Sequence, residues 1–342
     1  MKSELLAFAE ALGFALCRVA RCQTPPHAEE FRAWLADGRA GEMAWLARNA
    51  DRRTDPQQVL PGAQSVVVLA MNYFQGRERE VSSQQAGRIA RYAWGDDYHE
   101  LIEGKLRALD EWLIARGGRQ RCYVDTGPVL ERDFAALAGV GWHGKSTMLI
   151  HPELGTWFFL AEVLTTLDLE SDAPLPDRCG RCTRCIDACP TGAITAPHQL
   201  DARRSISYLT IENKGPIPEA LRPLLGDRIY GCDDCLTACP WNRFAQTSHE
   251  AAFAARDFVH GWTLRDYLAL DDDGFRALFK KSPIKRIKRR GFLRNVCVAL
   301  GNVGTADDLP ALELAARDAE PLIAEHARWA IERIHARSAQ EL

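Results

Sequence analysis

The sequence has no hydrophobic run long enough to cross a membrane. Its longest apolar segments, residues 66–71 and 157–161, are far shorter than the roughly 20 residues that a bilayer-spanning helix needs. The N-terminal segment 1–16 carries Glu4 and Glu10 within its apolar stretch, which is typical of an amphipathic helix and not of a secretory signal. We therefore expect a cytoplasmic protein with no membrane partner.

The sequence also lacks a strong excess of either charge. Lys and Arg number 43 against 46 Asp and Glu, a net charge of -3, so the net charge alone predicts no polyanionic partner. Apolar residues make up 46% and charged residues 26%. These values are near the average of globular domains and exclude disordered, collagen-like and coiled-coil classes. A chain of 342 residues has room for two or three domains.

Three segments of different character follow one another along the chain. Residues 1–172 alternate helical patterns with strand-like runs such as 65–73 and 156–166, which predicts an α/β (α+β) domain. Residues 173–248 begin at a proline-containing boundary and hold most of the cysteines. Residues 249–342 are helical in pattern and end in two amphipathic segments. These two resemble one helical hairpin of a HEAT-type repeat.

Seven of the eleven cysteines lie between positions 179 and 239. Without an export signal, clustered cysteines are metal ligands more often than disulfides. The first four follow the spacing C-x2-C-x2-C-x3-C-P, and the last three repeat the end of that pattern, C-x2-C-x3-C-P. In bacterial ferredoxins this spacing wraps a [4Fe–4S] cluster with three thiolates and sends the fourth to a second cluster.

The spacing therefore predicts two [4Fe–4S] clusters. The first would take Cys179, Cys182, Cys185 and Cys239, and the second Cys189, Cys232 and Cys235, which leaves it one thiolate short. The alternative is a tetrahedral zinc site, which needs only four ligands and fits seven cysteines with two Cys-Pro endings poorly.

A glycine-rich stretch at 139–146, GVGWHGKS, matches two nucleotide-binding patterns, G-x-G-x-x-G and G-x-x-x-x-G-K-S. Both motifs need a strand that enters the loop and a helix that leaves it, so that backbone N–H groups meet phosphate. Here a helical pattern enters and a strand-like pattern leaves. The stretch therefore predicts no nucleotide site.

Several segments together resemble the epoxyqueuosine reductase family. They are VDTGPVLERDFAALAGVGWHGKSTMLIHPELGTWFFL, CGRCTRCIDACPTGAI, DARRSISYLTIENKG, IYGCDDCLTACPWNR and RNVCVALGNVG. The resemblance implies a cobalamin-dependent enzyme that reduces the epoxide of epoxyqueuosine, at the wobble position of tRNA, to the alkene of queuosine. It also implies a nitroreductase-like domain similar to that of reductive dehalogenases, a ferredoxin-like domain, a HEAT-like C-terminal domain, a monomer, and an electron donor such as a flavodoxin or ferredoxin.

The resemblance implies that Asp125 is the proton donor and also contacts the cofactor. Opening an epoxide to an alkene takes two electrons and two protons, so the leaving oxygen needs an acid. The alternative for Asp125 is a turn or N-cap aspartate before Pro128. We expect Glu131 and Arg132 to orient this site. Four more residues are expected at the cobalamin: Lys145, Ser146, His151 and Ser207. For His151 the alternative is an ordinary hydrogen bond at a strand end.

Two features concern metal ligands. Relatives commonly have cysteine where this chain has Ser205, and that cysteine completes the second cluster. Ser205 could bind as an alkoxide, another group could fill the site, or the cluster is labile.

The D-x-H-x-x-G motif that supplies a cobalt-ligating histidine is absent, since the nearest match has Ile102 in place of glycine. No histidine need then ligate cobalt from below.

Residues 280–294 contain eight basic residues and no acidic one. This is an electrostatic footprint for a phosphate backbone, whereas a solvated helix face usually carries glutamates as well. Five residues are expected to contact tRNA: Lys214, Lys285, Arg286, Lys288 and Arg289. Two other functions stay open at this point, a corrinoid reductive dehalogenase and a non-catalytic iron–sulfur electron-transfer or RNA-binding protein.

Overall fold

A computed structural model describes residues 1–76 and 86–339. The strands are β1 (Leu16–Arg21), β2 (Ser65–Asn72), β3 (Arg88–Ile89), β4 (Gln120–Tyr123), β5 (Trp142–His143), β6 (Leu149–Ile150), β7 (Phe158–Thr165), β8 (Ile194–Ala196), β9 (Gln199–Leu200) and β10 (Arg228–Tyr230). The helices of the N-terminal half are α1 (Lys2–Ala11), α2 (Ala28–Ala36), α3 (Ala44–Arg48), α4 (Ala50–Thr54), α5 (Tyr98–Ile114) and α6 (Glu131–Leu137). Those of the C-terminal half are α7 (Arg184–Asp187), α8 (Asp234–Thr237), α9 (Asp257–Gly261), α10 (Leu264–Leu268), α11 (Asp272–Leu278), α12 (Lys288–Val303), α13 (Leu309–Ala315) and α14 (Pro321–Ser338).

The N-terminal part is built on a four-stranded antiparallel sheet in the order β1-β2-β7-β4. Successive residues of a strand point to opposite faces, and the run of valines in β2 is buried on both. Val67 and Leu69 belong to the core that includes residues of α1 and α5, and Val66 and Val68 to the core that includes α6. The predicted mixture of helices and strands is confirmed, and both long strands lie within the predicted segments.

The start of α5 places an aromatic side chain beside the sheet. Asp97 is the N-cap, and its side chain accepts a 3.1 Å hydrogen bond from the His99 backbone N–H, which satisfies one of the helix's free N–H groups. Tyr98, the first residue of α5, is buried and stacks on Phe159 of β7 with ring centroids 4.0 Å apart. The cap and this stacking together hold Tyr98 in place.

Residues 86–94 pack the N-terminal part against the C-terminal half of the chain. β3 pairs in parallel with β10, and Ile89 and Trp94 belong to the same core as Phe292 of α12. The two parts therefore share a sheet and a core, not only a linker. The division into domains at residues 172 and 248 stays a proposal. Residues 86–94 belong to the first proposed domain in the sequence but pack against the other two.

The residues from 249 to 339 are helical, as the pattern predicts, and their similarity to HEAT repeats stays a prediction. α12 packs against α14 at Gly301, where a Cβ atom would lie 2.4 Å from the Trp329 ring. Only glycine allows the two helices to approach so closely. None of the helices in the described part of the chain combines the length and the apolar character that crossing a bilayer requires.

Candidate active site

A cleft of about 460 Å³ lies between the sheet and the cysteine segment. Its sheet side includes Tyr98 and Asp125, and its other side includes three of the predicted cluster ligands, Cys189, Cys232 and Cys235. The cleft therefore brings the predicted proton donor and the predicted second cluster to one space.

Asp125 lies two residues beyond the end of β4, in a backbone conformation with φ of 58°. Aspartate tolerates this left-handed region better than most residues. The Tyr98 hydroxyl donates a 2.6 Å hydrogen bond to Asp125 Oδ2. Burial, followed by the Asp125 charge, raises the pKa of Tyr98 above its ordinary value. Tyr98 therefore keeps its proton and acts as the donor to Asp125.

A pair of carboxyl groups lies near Asp125. Glu131 is the first residue of α6 and lines the cleft. Glu162 on β7 is completely buried, and its carboxyl lies within hydrogen-bonding reach of Glu131. Sequence reasoning expected Glu131 to orient the site but missed Glu162. The available signal was a lone acid in the apolar run FFLAEVLT of β7.

The structure brings together the four thiols predicted for the first cluster. Burial raises the pKa of Cys239 to about 11, and the nearby thiols of Cys179, Cys185 and Cys182 contribute to the rise. These three lie on one short segment, whereas Cys239 follows α8. The fold thus delivers the remote fourth thiol to the segment that holds the other three.

The thiols predicted for the second cluster also group together. Burial raises the pKa of Cys235, with Cys232 and Cys189 among the nearby groups that add to it. The Cys189 sulfur accepts a 3.3 Å hydrogen bond from the Ala193 backbone N–H. Ser205, the predicted oxygen donor, lines the same cleft as these three thiols.

The spacing of the sulfur atoms disfavours zinc. Four thiolates on one zinc ion at about 2.3 Å would lie roughly 3.8 Å from one another. Among residues 1–76 and 86–339, no three cysteine sulfurs come within 4.8 Å of each other. The ligands of a larger cubane cluster lie farther apart than that.

The residues predicted to contact cobalamin separate into two groups. Ser146 and Ser207 line the cleft together with Asp125. The Lys145 ammonium instead donates a 2.6 Å hydrogen bond to the Gly180 carbonyl, next to the first cluster's ligands. The His151 ring nitrogen Nδ1 accepts hydrogen bonds from two backbone N–H groups of its own turn.

All four arginines of the basic tract have partners within the protein. Arg286 forms a 2.6 Å ion pair with Glu212 at the cleft, and Arg289 forms one with Asp318. The next two arginines donate to backbone carbonyls of residues 209–215: Arg290 to Lys214, and the buried Arg294 to Leu209, Asn213 and Gly215. The structure places Lys285 and Lys288 on the surface.

A polar cluster that sequence reasoning missed holds α6 against the glycine-rich stretch. Buried Asp133 lies 2.7 Å from His27 Nδ1 and 3.1 Å from His143 Nε2. Burial opposes ionisation, but hydrogen bonds from His143 and His27 outweigh it and lower the pKa of Asp133. His27 lies 106 residues before Asp133, so no local pattern indicates this contact.

Comparison with known proteins identifies the family. Residues 178–242 match the 4Fe-4S double cluster binding domain, and residues 53–126 match the family described as epoxyqueuosine reductase QueG, DUF1730. An epoxyqueuosine reductase from Xanthomonas campestris is 44% identical over 338 residues, which cover 96% of this chain and 95% of the relative. The chain belongs to the epoxyqueuosine reductase family. It is therefore an oxidoreductase with iron–sulfur clusters, which confirms the resemblance seen in the sequence and excludes the non-catalytic alternative.

Solved structures of the family have the same fold. A crystal structure of epoxyqueuosine reductase with an epoxyqueuosine-modified tRNA-Tyr stem loop has a TM-score of 0.91 and 32% identity, covering 97% of this chain and 90% of that one. A structure of the Bacillus subtilis enzyme, with a catalytic aspartate loop swung out of the active site, has a TM-score of 0.89 and 32% identity over the same shares.

Proposed function

We propose that this protein reduces the epoxide of epoxyqueuosine, at the wobble position of tRNA, to the alkene of queuosine, with cobalamin supplied with electrons by two [4Fe–4S] clusters. The observation that carries the proposal is the shared cleft, which is lined both by Asp125 and Tyr98 and by the three thiols Cys189, Cys232 and Cys235. A proton donor and an electron source therefore face the same space. The tRNA-bound relative supports the choice of substrate.

The lining of the cleft fits a corrin. Phe158, Leu160 and Leu236 provide apolar surface, and Ser146 and Ser207 provide hydroxyl groups for its amide side chains. No histidine among the described residues lines the cleft. When bound, cobalamin would supply a low-valent, strongly nucleophilic cobalt.

In this proposal Asp125 acts as the general acid. The epoxide oxygen must gain a proton as its bond to carbon breaks, and general acid catalysis of such a step is worth about 10² to 10⁴ in rate. The Tyr98 hydroxyl holds one carboxyl oxygen at 2.6 Å. This hydrogen bond fixes the direction in which Asp125 presents its proton. Two protons and two electrons convert the epoxide to the alkene and water.

The cluster ligands follow from the grouping of the thiols. We assign Cys179, Cys182, Cys185 and Cys239 to the first cluster. We assign Cys189, Cys232, Cys235 and Ser205 to the second, because all four line one cleft. A serine oxygen is a poorer iron ligand than a thiolate, so the second cluster would be the more labile.

We assign tRNA binding to the surface that carries Lys285 and Lys288, which are exposed. Lys214 and Arg286 extend this surface toward the cleft, since Arg290 donates to the Lys214 carbonyl and Arg286 lines the cleft itself. Arg289 is engaged by Asp318, so its contribution would be mainly the long-range attraction of its charge.

The decisive experiment measures nucleosides. Mass spectrometry of tRNA from a strain that lacks the gene should show epoxyqueuosine in place of queuosine, and the purified, reduced protein should convert it in vitro with a flavodoxin or ferredoxin as electron donor. Unchanged queuosine in the deletion strain would contradict the proposal. A stoichiometric corrinoid absorption band after anaerobic reconstitution tests the cofactor. Turnover of organohalides and not of tRNA would favour the dehalogenase alternative.

A further inference from the structure

The pair Glu131–Glu162 is placed where a carboxylate is costly. Glu162 is 0% exposed and pairs with Val68 of β2 and Tyr123 of β4 in the sheet register. Phe158 and Leu160, which line the cleft, lie on the same face of β7, so Glu162 is the next residue inward from the cleft on that face. An unpaired ionised carboxylate in such a layer costs many kcal/mol, so the group holds a proton instead.

The hydrogen bonding of the pair also requires a proton. Neither oxygen of Glu162, nor Oε1 of Glu131, has a protein N–H or O–H donor among the described residues. Their carboxyls nevertheless lie within hydrogen-bonding reach of each other. Two carboxyl groups can share a hydrogen bond only when one of them is protonated. The folded protein therefore keeps at least one proton on this pair.

The nearby charged groups do not neutralise the pair. Arg53 donates to the Val129 carbonyl, and Arg132 donates to the Thr147 carbonyl. The charges of both arginines lower the pKa of Glu131 from a distance, whereas the charge of Asp125 raises it. Burial, followed by Asp125, raises the pKa of Glu131 to about 8, and burial and the Glu131 charge raise that of Glu162.

We propose that Glu131 and Glu162 form a buried proton store that reprotonates Asp125 during the reaction. The proposal rests on the proposed function and deepens it, because the reaction consumes two protons and a single carboxyl group can deliver only one at a time. The first passes from Asp125 to the epoxide oxygen as one C–O bond breaks. The shared proton of the pair then moves to the Asp125 carboxylate, which delivers it as the second C–O bond breaks and water leaves.

The reaction also needs two electrons, and the carboxyl pair must regain its proton before the next turnover. Two electrons arrive from a low-potential protein donor through the iron–sulfur clusters and form the alkene. Glu131 lines the cleft, so the pair regains its proton from water after the product leaves. Glu131 and Glu162 thus act through Asp125.

Vibrational spectroscopy tests the store without any turnover. The anaerobic holoenzyme at neutral pH should show the C=O stretching band of a buried protonated carboxyl, which Glu162→Gln and Glu131→Gln remove or shift. Glutamine keeps the shape and remains neutral, so both variants should fold. Glu103→Gln, on the exposed surface of α5, is the matched control and should leave the band unchanged. No difference between the wild type and Glu162→Gln would overturn the proposal.

Turnover tests the relay. Both pair variants should lose about 10²-fold in steady-state queuosine formation while iron content, corrinoid content and tRNA affinity stay at wild-type values. Wild-type activity should decline as the pH rises through about 8, and this decline should disappear in Glu131→Gln. Full activity with an unchanged pH profile would overturn the relay and leave the proposed function intact. A wild-type protein that forms no queuosine would contradict both.

Discussion

Tyr98 and Asp125 are joined by a 2.6 Å hydrogen bond across the cleft wall, between the first residue of α5 and the loop that follows β4. Tyr98 is in turn held by stacking on Phe159. The orientation of the proposed acid therefore depends on a helix start and a strand that the acid does not belong to.

Removing either partner should affect chemistry and not cofactor binding. We expect Asp125→Asn to abolish queuosine formation, because an amide cannot donate an acidic proton. Tyr98→Phe should slow it about 5-fold, since one hydrogen bond is worth roughly 1 kcal/mol. Tyr92→Phe, in the same cleft, is the control for loss of a hydroxyl. Queuosine is measured by mass spectrometry, and retained turnover in Asp125→Asn would contradict the role of Asp125 as the general acid.

A cysteine at Ser205 should strengthen the second cluster. Thiolate is a better iron ligand than a serine oxygen, so Ser205→Cys should retain iron longer on exposure to a chelator. Ser207→Cys places a thiol two residues away in the same cleft and should retain no more than the wild type. Iron analysis over time checks this. Equal loss from both variants and the wild type would remove Ser205 from the ligand set.

Neutralising Lys285 and Lys288 should weaken tRNA binding without affecting stability. Each phosphate contact that is lost should reduce the slope of log affinity against log salt by about 1. The expected result for Lys285→Gln with Lys288→Gln is a higher Michaelis constant for tRNA, a flatter salt dependence and an unchanged thermal midpoint. An unchanged salt slope would show that the tRNA lies elsewhere.

Arg294 should behave in the opposite way, although it belongs to the same basic tract. Its side chain is 0% exposed and donates to the carbonyls of Leu209, Asn213 and Gly215. Arg294→Met leaves these acceptors unpaired, so we expect a loss of roughly 3 kcal/mol of stability. Thermal unfolding measures it. A stable variant with a reduced salt slope would instead assign Arg294 to tRNA.

The contrast between these two predictions shows where sequence reasoning reaches its limit. The count of basic residues in 280–294 is a property of the sequence, but the partners of Arg286 and Arg289 are Glu212 and Asp318, which tertiary folding supplies. A local absence of acids therefore does not mean unpaired bases. The cysteine spacing was more informative, because three ligands of a cluster lie within one short turn and their spacing is set locally.

The carboxyl pair marks the same limit at the candidate site. Asp125 and Glu131 lie in a segment that resembles the family, so the sequence indicates both as site residues. Glu162 lies on a strand whose pattern correctly predicts burial, and that pattern does not indicate the buried partner of an acid. Its contact with Glu131 depends on how α6 packs on β7.

The pH dependence of stability should reveal the Glu131 carboxyl. Its pKa is near 4.3 in an unfolded chain and about 8 in the fold, so the folded state binds the proton more tightly. This contribution to stability is fully present below the unfolded value and is lost as the pH rises through about 8. Glutamine does not titrate. Between pH 5.5 and 8.5 the wild type should therefore lose on the order of 3 kcal/mol relative to Glu131→Gln. Thermal midpoints of both proteins, compared at each pH with Glu103→Gln as the control, check this, and a constant difference would show that Glu131 is ionised throughout.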